Sequence, residues 1–80
     1  MSHWKRLLEA RDVERALKNL GFKYRNSEGS HDNWVPADSA VRFRKVTVDK
    51  PKAPFGDFLM QSMARQAGVT LKEFYAAADK

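Results

Sequence analysis

The sequence predicts an α+β fold, in which a small three-stranded antiparallel sheet has helices on one face, in the order α-β-β-β-α-α. Apolar residues recur with helical spacing before residue 21 and after residue 54, and the segments between them are strand-like. A chain of 80 residues has room for one such two-layer core. We therefore expect residues 1–80 to form a single domain.

The first helix is predicted to lie between Asp12 as N-cap and Gly21 as left-handed stop. Its apolar positions follow the pattern i, i+3, i+4, i+7 and are Val13, Ala16, Leu17 and Leu20.

A second apolar group, Trp4, Leu7 and Leu8, also has helical spacing but points to the opposite side at about 100° per residue. Either the chain breaks near residues 10–12, or this patch faces a partner or a second copy of the chain. Residues 1–10 are treated as an N-terminal extension.

Three strands are predicted in the middle of the chain. Residues 22–26 alternate as a strand, residues 27–30 have the composition of a tight reversal, and a second strand runs from His31 to Val35. After a turn at residues 36–39, a third strand runs from about Val41 to Val48. Its apolar residues change parity partway, which predicts a bulge near Arg44 or Lys45.

Two helices are predicted after the loop at residues 49–54. The first has an apolar face that begins at Phe55 and ends at Gly68. Thr70 and Glu73 form a capping-box pattern that opens the last helix. The core positions of that helix are Leu71, Phe74, Tyr75 and Ala78.

Composition limits the function classes. The chain has no cysteine, which excludes disulfides and thiolate chemistry, and it shows no long apolar stretch, so we expect a soluble cytoplasmic protein that does not bind a membrane. The net charge of +5 comes from residues 1–52, which hold 12 basic and 7 acidic side chains. Such asymmetry suits a polyanionic partner such as nucleic acid, or an acidic protein, and ordinary solubility accounts for it about equally well.

Four motifs stand in order along residues 11–75: residues 13–22, Gly29-Ser30-His31, residues 46–48 and residues 63–69. Together they resemble the HicA toxin family of bacterial toxin-antitoxin pairs. The resemblance implies a fold similar to a double-stranded-RNA-binding domain and a metal-independent endoribonuclease, or mRNA interferase, acting through the histidine of the Gly-Ser-His motif. It also implies a HicB-type antitoxin that covers this histidine and sets the oligomeric state. Asp32 departs from the pattern, because a carboxylate beside His31 would repel a phosphate.

His31 is the candidate catalytic residue. Cleavage of RNA by its own 2'-hydroxyl needs a base, an acid and cations, and histidines exchange protons near neutral pH. In an ideal strand His31 and Asn33 share one face, while Asp32 and Trp34 share the other. Trp34 could stack a base, but its parity and size favour the core, which would direct His31 to solvent.

Other candidate residues surround this histidine. Gly29 would allow close approach of the substrate, and Asn33, Lys45 or water could be the second proton carrier. No cofactor and no metal site is predicted, because no ligand cluster is recognisable. A non-catalytic RNA-binding or protein-interaction module on the same fold is the alternative, although residues 55–61 lack the lysines of a double-stranded-RNA binder. The candidate RNA-binding residues are Lys23, Arg25, Ser30, Arg42, Arg44 and Lys45.

Overall fold

The computed structural model describes residues 6–38 and 44–80 and has the predicted order of elements. The three strands form one antiparallel sheet in the order β1-β2-β3, which confirms the α+β class. The elements are α1 (Ala10–Asn19), β1 (Phe22–Glu28), β2 (His31–Pro36), β3 (Val46–Asp49), α2 (Asp57–Ala67) and α3 (Leu71–Ala78), with a 3₁₀ turn at Lys50–Lys52.

Helix α1 begins earlier than predicted, because Glu9 rather than Asp12 is its N-cap. The Glu9 backbone N–H donates to the Asp12 carboxylate at 3.0 Å, so Asp12 satisfies a helix-end donor from inside the first turn. At the other end Gly21, with φ +90°, stops the helix as predicted. The Asn19 amide then donates to the Ala77 carbonyl at 2.8 Å, which joins α1 to α3.

Helix α2 begins at Asp57 and not at Phe55, because Phe55 is extended. Phe55 exchanges backbone hydrogen bonds with Leu8, at 2.7 and 3.3 Å. Gly68 ends α2 with φ +80°, and the Thr70 capping box opens α3, both as predicted.

The expectation of one apolar patch at residues 4–8 is wrong for the residues that the structure describes. Leu8 is fully buried in the core, whereas Leu7 is 63% exposed, because an extended segment directs neighbouring side chains to opposite sides. Trp4 lies outside the described residues. The break before α1 is therefore the correct alternative, and part of the N-terminal extension belongs to the core.

The helices cover the face of the sheet that carries Trp34, Val46 and Val48, all buried. Strand β3 begins only at Val46, so the predicted bulge near Arg44 or Lys45 is wrong. Residues 41–43 of the predicted third strand lie outside the described residues. A register shift occurs instead in β1, where Tyr24 pairs with Trp34 and Asn26 with Asn33, leaving Arg25 as the extra residue.

Candidate functional site

A two-residue hairpin loop positions His31. Glu28 pairs with His31, so Gly29 and Ser30 alone make the reversal between β1 and β2. Gly29 has φ +63°, a conformation that residues with a side chain rarely adopt, and this accounts for glycine at the first position of the motif. The loop therefore fixes His31 as the first residue of β2, directly across from a carboxylate.

The open face of the sheet, opposite the helices, carries His31. Its side chain is 50% exposed, while Trp34 is buried in the core, so the predicted parity of β2 is confirmed. His31 also pairs with Asp49 of β3, and the Nε2 atom of His31 lies 3.5 Å from the Oδ2 atom of Asp49. This distance exceeds a normal hydrogen bond and corresponds to an ion pair when the imidazole is protonated.

The side chain of Asp32 lies on the helix-covered face, away from the face on which His31 is exposed. It is 4% exposed, accepts a hydrogen bond from the Ser27 hydroxyl at 2.6 Å, and lies 3.0 Å from the Lys50 Nζ atom. Burial acts to raise the pKa of Asp32, but the hydrogen bonds from Ser27 and Lys50 and the Lys50 charge outweigh it, so the pKa is lowered. Asp32 is a charged structural group.

Two other carboxylates flank His31 on the open face, those of Glu28 and Asp49, because both are its cross-strand partners. Neither residue was predicted as a site residue from the sequence. The two-residue loop was a usable signal for Glu28, since it fixes which residue faces His31. No comparable signal existed for Asp49, because the connection from β2 to β3 is long and does not fix their register.

Asn33 organises the open face beside His31 and is only 4% exposed. Its Nδ2 atom donates to Asn26 at 2.9 Å and to Glu28 Oε1 at 2.7 Å, and its Oδ1 atom accepts from the Thr47 hydroxyl at 3.3 Å. These bonds use both amide hydrogens, so Asn33 fixes its neighbours rather than meeting solvent.

The structure brings together only some of the predicted cations. Arg25 and Lys45 line a cavity of about 210 Å³ together with Asn26, Glu28 and Asn33. Lys23 is exposed on β1, and Ser30 is exposed in the hairpin loop.

Arg44 does not line this cavity, and Arg42 lies outside the described residues. The Arg44 guanidinium fills the space beside Gly68, at the C-terminus of α2, where a cation is favourable. Arg44 precedes Asp49 by five residues along an extended segment, about 16 Å at the usual rise per residue.

Two other features, a metal site and a membrane-spanning helix, are not found in the part of the chain that the structure describes. Residues 6–38 and 44–80 contain no group of three or more His, Cys, Asp or Glu side chains that could hold a metal ion. None of their helices is long and apolar enough to cross a membrane. A larger cavity, of about 370 Å³, is lined by Arg6, Leu7, Asp57 and Tyr75 and shares no residue with the His31 surroundings.

Comparison with protein families gives one match: the model for the HicA toxin of bacterial toxin-antitoxin systems matches residues 10–69, which include the hairpin, all three strands and α2. Comparisons with curated proteins and with solved structures give no match.

Proposed function

Because the chain belongs to the HicA toxin family, and is therefore the toxin of a toxin-antitoxin pair, we propose that it is an endoribonuclease that cleaves mRNA through His31. The observation that carries the proposal is the position of His31, half-exposed on the open face of the sheet with the Asp49 carboxylate against one ring nitrogen. The family also implies an antitoxin partner, and we propose that this is a HicB-type protein that covers His31.

The proposed reaction is internal transfer. The 2'-hydroxyl oxygen attacks the adjacent phosphorus, His31 takes the hydroxyl proton, and the bond from phosphorus to the 5'-oxygen breaks. The products are a 2',3'-cyclic phosphate and a 5'-hydroxyl end, so the reaction needs no metal-bound water. A half-exposed imidazole beside a hairpin loop gives a single-stranded substrate the access that this attack requires.

Asp49 is proposed to position His31. With the Asp49 carboxylate on the side of Nε2, Nδ1 is the ring nitrogen available for the 2'-hydroxyl proton. A carboxylate also stabilises the imidazolium formed after proton transfer, as in other acid-base pairs.

Of the three options for the second proton carrier, water fits the geometry best. Asn33 is buried and has both amide hydrogens bonded within the protein. Lys45 precedes Asp49 by four residues, about 13 Å along the strand, which is too far for direct proton transfer at the same phosphate. Water reaching the half-exposed imidazole is therefore proposed to protonate the leaving oxygen.

The cations of the open face are proposed to hold the RNA backbone away from Glu28 and Asp49. Arg25 and Lys45 stand on the same face as His31 but farther along the strands, so they would bind phosphates of neighbouring nucleotides. Lys23, Ser30 and Arg42 remain proposed RNA contacts, whereas the packing of Arg44 against Gly68 supports a structural role instead.

The test compares the wild-type chain with His31→Ala. In the presence of a chelator, the wild type should cleave a single-stranded RNA and leave 2',3'-cyclic phosphate ends, and its induction should arrest bacterial growth. His31→Ala should lose at least roughly 100-fold in cleavage rate, because acid-base catalysis typically contributes that much. His3→Ala is the matched control, since His3 is the only other histidine and lies outside the matched residues.

Two results would contradict the proposal. Growth arrest that persists in His31→Ala would favour a non-catalytic module on the same fold. Cleavage that the chelator abolishes would exclude the internal-transfer mechanism.

A further inference from the structure

The polar cavity beside His31 has a chemical character that simple phosphate binding does not explain. It holds about 210 Å³ and combines two cations, Arg25 and Lys45, with a carboxylate and an amide, Glu28 and Asn26. Glu28 is also the cross-strand partner of His31, so one residue of the cavity wall is adjacent to the proposed catalytic histidine. A ligand in this cavity would therefore adjoin a phosphate held at His31.

One acceptor and one donor remain available in the cavity. Glu28 receives the Asn33 amide on Oε1, and no contact of the described residues occupies its Oε2 atom. Asn26 uses its oxygen to accept from Asn33, which leaves its amide NH₂ group as a donor. Asn33 holds both side chains in place, so the acceptor and the donor stand side by side on the wall of the cavity.

The cations leave this acceptor exposed. In the described part of the chain, neither Arg25 nor Lys45 forms an ion pair with Glu28. The Glu28 carboxylate would repel a phosphate placed against it, whereas Arg25 and Lys45 would attract phosphates of the backbone. This charge arrangement fits a nucleobase in the cavity and the backbone at its rim.

We propose that the cavity is a nucleobase subsite for the nucleotide next to the cleaved phosphate, and that it prefers cytosine and adenine over uracil; this rests on the proposed ribonuclease function. Glu28 accepts a hydrogen bond from the amino group of cytosine or adenine, and the Asn26 amide donates to the adjacent ring nitrogen. Uracil presents its edge N–H between two carbonyl oxygens; one of these oxygens can accept from the Asn26 amide, but the other lies beside the Glu28 carboxylate and repels it.

The test measures binding of short oligo(C), oligo(A) and oligo(U) to the His31→Ala variant of the 80-residue chain, which we expect to bind RNA without cleaving it. Oligo(C) and oligo(A) should bind about 10-fold more tightly than oligo(U), the usual size of one good base contact. Adding Glu28→Gln should bring the ratio close to one, because a carboxamide can donate as well as accept. Its oxygen can still accept from Asn33, so the local fold is retained.

Two further variants separate base recognition from charge and folding. Glu14→Gln removes the same charge from α1 and should leave the base preference intact. Asn26→Asp replaces the donor with an acceptor and should weaken binding of oligo(C) and oligo(A) while keeping the bond from Asn33.

The outcomes distinguish this inference from the proposed function. Equal affinity for the three oligonucleotides, while wild type still cleaves mixed-sequence RNA, would overturn the subsite alone. A preference that survives Glu28→Gln would also overturn it, and if that variant instead weakens the antitoxin complex, the cavity belongs to the protein interface. Wild type that neither binds nor cleaves RNA would remove both.

Discussion

Replacing Asp32 by Asn tests whether this carboxylate is structural or part of the site. The variant keeps the shape of the side chain and an oxygen that can accept from the Ser27 hydroxyl, but it removes the charge facing Lys50. Hydrogen bonds to charged groups contribute about 1.5–3 kcal/mol. Because the Lys50 side chain is 51% exposed, solvent weakens this interaction, and we expect a loss of about 1–2 kcal/mol of unfolding free energy for the Asp32 replacement.

The pH dependence of this loss of unfolding free energy shows whether the charge of Asp32 is its cause. In the folded state the pKa of Asp32 lies below its ordinary value of 3.8, so the ionised form stabilises the fold above that value. The stabilisation is lost as pH falls through the folded pKa. Wild type and Asp32→Asn should therefore differ fully at pH 7 and converge progressively below about pH 4.

Urea unfolding followed by circular dichroism at pH 7 and at a series of acid values measures this difference. RNA cleavage per folded molecule should be unchanged, because the side chain lies on the opposite face from His31. A stability difference that stays constant down to pH 2 would refute the charge argument. Loss of cleavage without loss of stability would place Asp32 in the site.

The remaining predictions concern the extension and the positioning of His31. Leu8→Ala should lower the unfolding free energy by about 3 kcal/mol, since Leu8 is fully buried. Leu7→Ala should change it by less than about 0.5 kcal/mol, because Leu7 is exposed. Equal losses of stability in urea unfolding would disprove that Leu8 belongs to the core and Leu7 does not. Asp49→Asn should lower kcat at least roughly 10-fold, change KM little and alter the pH-rate profile, because it removes the charge facing His31. A change in KM alone would exclude that positioning role.

Local rules predicted the parts of the fold that depend on neighbouring residues. The capping box at Thr70, the left-handed stop at Gly68 and the opposite faces of His31 and Trp34 follow from spacing within a few residues, and the structure has all of them. The start of α1 was misplaced because Asp12 can act either as an N-cap or as the third residue of a capping box.

Long-range pairings could not be predicted in the same way. Leu8 and Phe55 are far apart in sequence, and their pairing removes Phe55 from α2 although its apolar spacing suits a helix. Asp49 comes beside His31 through the register of β2 and β3, which a short sequence pattern does not encode. The chemical surroundings of His31 therefore depended on pairings that only the structure shows.

The extra residue in β1 has a consequence for how the chain tolerates change in length. Because Arg25 shifts the register, Asn26 and Glu28 point to the open face, while Ser27 points toward Asp32. Removing this one residue would join Tyr24 directly to Asn26 and leave a regular strand in which every pair with β2 is kept. Glu28 would stay opposite His31 and Ser27 would stay opposite Asp32, so the deletion would remove only the bulge and the Arg25 side chain. A one-residue deletion at the bulge would thus leave the pairs around His31 in register, whereas the same deletion in a strand without a bulge would exchange its faces.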